Sequence, residues 1–314
     1  MPSNSAPQIT WPDTKKFAFT IFDDTDYATL TNVPEVYAFL GDLGFRTTKS
    51  VWPIRGAGTP ICGGDTCENR VYLQWVLQLK SAGFEIGYHL ATYHTSLRAD
   101  TIKGLDRFRE LFGQDPSAMA NHSACRENLY WGSARLTGLN RTAYNVLTGF
   151  RYSKKFRGHI EGDELFWGDL CRDRIRYVRN FVYPEINTLK ACPIMPYHDP
   201  NRPYVKEWFA SSEGPTLESF LTCLSESNQD RLESEGGACI MYTHLASGFY
   251  VDGKLNARFR ELMTRLSRKG GWFVPVSTLL DYIVQERGAH TITAAERSQL
   301  ERRWLRHKLF RGRS

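Results

Sequence analysis

Three apolar runs in this sequence each end in groups that bind metals or carry protons. FAFTIF leads into Asp23 and Asp24, FEIGY leads into His89 with His94 five residues later, and ACIMYT leads into His244. A carboxylate and two imidazoles make a three-ligand site that leaves room for water, the arrangement of a catalytic zinc-type centre. A second carboxylate beside it can take a proton from that water, and a further histidine can protonate a leaving group. Together these residue types point to metal-assisted hydrolysis. Taken singly, each has a plainer explanation, since an Asp-Asp pair commonly caps a turn and a lone histidine at a strand end is commonly hydrogen-bonded scenery. Their recurrence at three strand ends is what argues for a site.

Elements that would bring the three together are legible in the periodicity. Lys16 to Phe22 reads as a buried parallel strand. A helix follows, with Asn32 as cap, Pro34 in its first turn, Val36, Tyr37, Leu40 and Leu43 as its apolar stripe and Gly44 as its stop. The alternation then repeats. A weaker strand lies around Phe45 to Trp52, a helix near Asn69 to Ala82, a strand over Phe84 to Tyr88 and a helix over Ser96 to Phe112 ended by Gly113. Later come a helix over Pro215 to Asn228, a strand over Gly237 to Tyr242, a helix over Leu255 to Arg268, a strand over Trp272 to Val276 and a helix over Ser277 to Gln285. Alternating strands and helices predict an α/β fold with a parallel sheet, and active sites of such folds sit at the carboxyl edge of the strands. Residues 131–203 show little periodicity and read as a long excursion that walls a site.

With these motifs in place, FTIFDDT, GFEIGYHLATYH and IMYTHL resemble the NodB-homology polysaccharide deacetylases, also called carbohydrate esterase family 4. The resemblance runs from about Phe17 to Ile283 and implies an irregular (β/α)7 barrel. It implies hydrolysis of an acetamide on an N-acetylated sugar, with Asp23 as general base, Asp24, His89 and His94 as metal ligands, and His244 as the acid for the leaving amine. The implied metal is zinc, with cobalt, nickel and manganese as alternatives. Several features depart from the family pattern. Its two metal histidines are usually separated by three residues, whereas four separate His89 from His94, so the loop must bulge or another group must serve, Thr92 being the weaker candidate. The glycine after the Asp pair is Thr25 here, followed by a third carboxylate, Asp26, as cap, substrate contact or alternative ligand. The family's base-orienting arginine has no literal counterpart, and Arg126 in NHSACRENLYWG is the nearest choice, with Asn121 and His122 lining the pocket.

Other segments carry weaker signals. His198 and Asp199, set between prolines, suit sugar hydroxyls or an ordinary turn, and Trp167 in GHIEGDELFWGD suits a stacking platform beside His159, Glu161 and Asp163. Cys62 and Cys67 are spaced too widely for the usual zinc knuckle, and the odd total of seven cysteines fits a reducing compartment. The formal net charge of +6 comes entirely from Arg297 onward, where seven basic residues meet one Glu. Leu300, Trp304, Leu305 and Leu309 recur there at near-helical spacing, as in a basic amphipathic helix at an anionic membrane or partner, or in a solvated last helix. No basic stripe with interleaved aromatics points to nucleic acid. The sequence contains no apolar run of the roughly 18 residues needed to span a bilayer. The expectation is a cytoplasmic protein, peripheral at the inner membrane face if the tail anchors it.

The reading is a single barrel domain over 1–290 with a basic helix or tail over 291–314. Its expected substrate is a glycan, a lipid-linked sugar or a nucleotide sugar. The competing readings are a hydrolase of cyclic amides on the same fold and a non-catalytic glycan-binding scaffold; the sequence leaves the oligomeric state open.

Overall fold

The computed structural model describes residues 9–311. Strands β1 (Phe17–Asp23), β2 (Thr48–Val51), β3 (Glu85–Tyr88), β4 (Ala118–Met119), β5 (Tyr177–Tyr183), β6 (Tyr197–His198), β7 (Glu207–Glu213) and β8 (Ala238–Thr243) form the centre. Seven of them close into an all-parallel barrel in the order β1-β2-β3-β4-β5-β7-β8, with β8 returning to β1. The closing ladder runs from Ala18↔Ala238 to Asp23↔Thr243. Helices surround the barrel, so both faces of β1 are buried and the strand reads as a near-continuous apolar run. β6 lies outside the closed set, antiparallel to β7. This is a (β/α)7 barrel of the polysaccharide-deacetylase type.

The barrel is uneven. β2 reaches β1 only at Phe22 and Asp23, and the short strand Gly271–Trp272 pairs with Phe17 and Ala18 on the part of β1 that β2 leaves free. The strand expected over Trp272 to Val276 is therefore two residues long, and the following helix begins earlier, at Val276–Arg287. Expected helices also shift. Asn32 accepts a hydrogen bond from Thr29 N–H instead of capping Pro34–Asp42, and the Pro215 to Asn228 helix is two helices, Leu217–Cys223 and Glu226–Ser234. The helix Arg70–Ser81 matches its sequence signals: Asn69 caps it by accepting from Val71 and Tyr72 N–H, and Tyr72, Val76 and Leu79 are its buried stripe. Arg98–Phe112 ends at Gly113, whose φ of 74° is the left-handed cap conformation.

The excursion over 131–203 contains barrel strand β5 as well as helices Gly138–Leu147 and Gly168–Arg174. It also receives the C-terminal helix, Ala294–Arg311, whose Leu300, Trp304 and Leu305 are buried against the protein. Much of the apolar stripe proposed for a membrane is thus used in packing, while Arg302 and Arg306 face outward and residues 312–314 of the tail lie outside the described residues. Asp199 anchors this helix: its carboxylate accepts from Arg297 (2.6 Å from Nη2) and from Arg202. Glu301, fully buried, accepts from Thr137 N–H and Oγ1 and from Asn140 Nδ2. His198 lies beside it, with Nδ1 donating to the Lys206 carbonyl at 3.0 Å. At Asp199 the expected sugar contact is instead a buried clamp, while His198 is half-exposed and tied to the Lys206 carbonyl.

Removing one partner from a buried ionic cluster leaves the others uncompensated, which costs about 3–5 kcal/mol. Asp199→Ala, which removes the acid that holds Arg297 and leaves Arg202 with Glu301 alone, is expected to lower stability by that order in urea unfolding. Leu309→Ala, at an exposed position of the same helix, stays within about 0.5 kcal/mol of the parent. A loss below about 1 kcal/mol for Asp199→Ala would refute the anchoring role.

Candidate active site

Side chains on a strand alternate between its faces. In β1, Phe17 and Phe19 meet the rings of Phe273 and Phe45, while Phe22 meets Phe209 and the Arg179 guanidinium. Asp23 shares the parity of Phe17 and Phe19 and is directed to the helix layer. Its carboxylate accepts from Tyr37 Oη at 2.8 Å and Leu245 N–H at 2.8 Å, and lies 3.3 Å from Lys49 Nζ. Burial pulls the Lys49 ammonium toward neutrality, but Asp23 outweighs it and holds the pKa above its ordinary value. Asp23, expected as the base, is therefore an element of the wall. The next residue, Asp24, turns to the other face, where Arg179 of β5 grips it through two hydrogen bonds of 2.8 and 2.5 Å. Arg179 is itself held over the Tyr242 ring, 4.2 Å from its centroid.

Asp26, two residues further on, occupies the centre of the mouth. One of its oxygens, Oδ1, lies 3.2 Å from His89 Nε2 and 3.4 Å from His122 Nε2, and the other, Oδ2, lies 3.2 Å from His244 Nε2. Among the described residues, Asp26, His89 and His122 form a buried group whose ligand atoms all lie within 4.8 Å of one another. These residues follow β1, β3 and β4, and His244 follows β8, so four strand ends converge. Asp24 Oδ2 is 4.0 Å from His89 Nε2, at the border of the group.

Two imidazoles are held in orientations that suit ligation. His89 Nδ1 donates to the Ala120 carbonyl at 3.1 Å, which directs Nε2 at Asp26. His122 Nδ1 lies 3.3 Å from Cys125 Sγ. Burial, reinforced by the charge of His89, brings the His122 pKa down to about 4, so the ring is neutral near pH 7. Both Asp26 Oδ1 and His89 Nε2 are buried without a hydrogen-bond partner. Such a pair of unsatisfied acceptors facing each other is costly unless a cation completes it, so the donor set fits a divalent metal.

Burial raises the Asp26 pKa, but the imidazoles of His244 and His89 against its carboxylate prevail and hold it well below the usual carboxylate range. His244 is the reciprocal case. Burial disfavours its charge, yet the hydrogen bond to Asp26 and the charge of Asp24 lift its pKa to about 9, while Nδ1 donates to the Pro215 carbonyl at 2.8 Å. At 17% side-chain exposure against 0–1% for His122 and His89, His244 is on the solvent side of the group.

The structure does not bring His94 to this group. Its Nε2 accepts from Gly58 N–H at 2.9 Å and its Nδ1 donates to the Thr95 carbonyl at 2.7 Å, so both ring nitrogens are occupied. The ring lies so close to the loop that a Cβ at Gly56 or Gly58 would fall 2.3 or 2.8 Å from it. Thr92 braces the same turn by donating to the His94 carbonyl. Arg126 is exposed and Arg179 holds the carboxylate instead. Trp167 is fully buried, donating to the Glu127 carbonyl, and is no stacking platform. Asn121 ties to Leu129 through both halves of its amide and holds the turn that carries His122. His159, Glu161 and Asp163 are engaged with Tyr130, Tyr204 and Arg157.

No family model matches the sequence, and no curated protein sequence matches it. Among solved structures, a candidate polysaccharide deacetylase from Mycobacterium smegmatis is similar over 92% of this chain and 97% of its own, with a TM-score of 0.53 and 14% identity. The allantoinase PuuE is similar over 91% of this chain and 96% of its own, with a TM-score of 0.50 and 12% identity. At these identities the likeness establishes the shared barrel.

Beneath the mouth, Glu127 accepts from Ser96 N–H at 3.0 Å, and burial lifts its pKa from about 4.5 to about 8. The folded protein therefore retains a proton that the unfolded chain releases above about pH 4.5. This group withdraws stability as pH rises from there to about 8. Urea midpoints across that interval are expected to fall more steeply for the parent than for Glu127→Gln. Parallel slopes would show that Glu127 carries no such linkage.

Proposed function

We propose that this protein is a metal-dependent amide hydrolase that removes N-acetyl groups from an amino-sugar-containing glycan or glycan precursor. The observation that carries the reading is the group Asp26, His89 and His122, with two unsatisfied acceptors, flanked by Asp24 and His244 at the carboxyl edge of the barrel. A divalent metal held by those three residues, zinc foremost, would supply Lewis acidity, polarising an amide carbonyl and lowering the pKa of a water. Asp24 takes the proton from the attacking water; Arg179 fixes its carboxylate while each oxygen keeps a free lone pair. His244 carries a proton on Nε2, faces the solvent side and delivers that proton to the departing nitrogen, its ring held by the Pro215 carbonyl. The products are acetate and a free amine.

A cavity of about 510 Å³ lined by Arg55, Cys62, Asp65, Glu68, Asn69 and Tyr93 meets the group at Cys62. Its charged and amide side chains, beside Pro60 and the Tyr93 ring, suit a ligand with hydroxyls on an apolar frame, which supports a sugar. The structural neighbour of the deacetylase type points the same way, while the allantoinase neighbour supports a second reading, the opening of a cyclic amide. No helix among the described residues is long and apolar enough to cross a membrane. Lipid-linked sugars and nucleotide sugars are both among the substrates proposed.

Metal-loaded protein is expected to release acetate from N-acetylated sugars and to stop when chelated. Ring-opened product from a cyclic ureide without acetate would select the second reading, and neither product would reject both. Among variants, His122→Ala is expected to lose bound metal and His94→Ala to keep it, measured by elemental analysis. Asp24→Asn keeps the metal but loses most turnover, and His244→Ala loses about 10²- to 10⁴-fold in kcat. Full activity in Asp24→Asn would remove the base assignment.

A further inference from the structure

Helix Gly138–Leu147 lies on the outside of the protein, and none of its residues is fully buried. One side of it is docked. Asn140 Nδ2 donates to the Glu301 carboxylate at 3.0 Å, the Tyr144 ring lies 5.8 Å from that of Trp304, and Arg141 Nε donates to Ser133 Oγ at 3.2 Å. The other side carries Leu139, Ala143, Val146 and Leu147, and the turn that ends the helix adds Phe150; their spacing places all five on one face. Leu139 is 88% exposed, Val146 64%, Leu147 57% and Phe150 59%. An amphipathic helix of a globular protein turns such a face to the core, and here it meets solvent. Phe150 has a φ of 59°, in the left-handed region that bulky residues avoid, and its N–H donates to the Asn145 carbonyl at 2.7 Å. A strained turn thus presents an aromatic ring outward.

The charges around this face have one sign. From Asn128 to Ile160 the chain contains no Asp or Glu. Arg141, Arg151 and Lys154 are exposed and Lys155 is half-exposed, and among the described residues none of the four forms an ion pair. Arg157, further along, is paired with Asp163 and takes no part. Arg151 and Lys155 flank the Tyr152 ring, at 5.6 and 5.8 Å from its centroid. The neighbouring C-terminal helix adds exposed Arg302, whose Nη1 donates to Ser298 Oγ at 2.6 Å beside Asn140, and exposed Arg306 one turn on.

We propose that this face is a docking surface for an anionic lipid bilayer. Leu139, Val146, Leu147 and Phe150 enter the boundary between headgroups and acyl chains, and Arg141, Arg151, Lys154 and Lys155 meet the phosphates. A cationic border without acids complements a surface that is negative throughout, whereas a folded protein partner presents both signs. The contact is not the basic tail expected from the sequence. Leu300, Trp304 and Leu305 of the C-terminal helix are turned inward, and that helix serves as the bed on which the docking helix rests. The proposal stands apart from the hydrolase reading, because none of these residues belongs to the Asp26, His89 and His122 group.

Co-sedimentation of the full-length protein with vesicles tests it. Binding is expected to vesicles of phosphatidylglycerol and phosphatidylcholine in equal parts and not to phosphatidylcholine alone. It weakens steeply as salt rises from about 0.1 to about 1 M, where the screening length shrinks from about 10 to about 3 Å. Leu147→Gln with Phe150→Asn is expected to weaken binding by on the order of tenfold or more. Glutamine suits the helix and asparagine the left-handed turn, so the urea midpoint of this variant stays at that of the parent. Lys154→Gln with Lys155→Gln weakens binding by about fivefold for each charge removed, and Leu309→Ala leaves it unchanged. Absence of binding, or equal binding to both kinds of vesicle, overturns the proposal. Binding that survives in the Leu147 and Phe150 variant but fails in Leu309→Ala assigns the contact to the C-terminal helix instead. A parent that does not bind vesicles and is a dimer in size-exclusion chromatography, with the Leu147 and Phe150 variant a monomer, makes a second copy of this chain the occupant.

Discussion

The alternation of side chains along one strand fixes which carboxylates face the mouth of this barrel. At the end of β1, consecutive carboxylates cannot face the same way. Asp23 is committed to the helix layer by Tyr37, Lys49 and the Leu245 amide, and Asp24 is committed to the barrel interior by Arg179. The next carboxylate at the mouth is Asp26, and the three imidazoles converge on it. A buried arginine that spans from β5 to the end of β1 thus holds Asp24 in an ion pair and leaves Asp26 facing the imidazoles. Replacing either member of such a pair leaves a charge with no partner, so the geometry of the mouth and the stability of the barrel are coupled.

Much of the architecture could be read from the sequence because parallel strands and amphipathic helices leave distinct periods. The strand ends bearing the Asp pair, His89 and His244 were legible, and so was their convergence. The detail of which acid faces inward was not, because FDDTD offers three carboxylates and the register against neighbouring strands decides among them. His94 misled for a local reason: its spacing resembles a ligand pair, yet Gly56 and Gly58 allow the loop to close over its ring and use both nitrogens. His122 was noticed as a lining residue, but β4 is only two residues long and leaves little strand signal ahead of it.

Arg179 escaped sequence reasoning altogether. The run YVRNFVY has the aromatic and β-branched content of a strand, but Arg179 and Asn180 interrupt its apolar pattern, and it lies within a stretch with no other periodicity. A charged residue in the middle of a buried strand is itself a signal, since such groups are seldom buried without a partner. Looking for an acid to pair with each interior arginine would have joined β5 to the Asp cluster. Arg126, in the motif segment after β4, is exposed to solvent.

The closing ladder has a consequence for biosynthesis. β1 lies near the start of the chain, but its full-length partner is β8, and the strand that covers its first residues begins only at Gly271. As the chain emerges from the ribosome, β1 waits for more than two hundred residues before either partner exists, with an apolar edge unpaired throughout. The high contact order this imposes places barrel closure late and makes folding slow relative to helix formation.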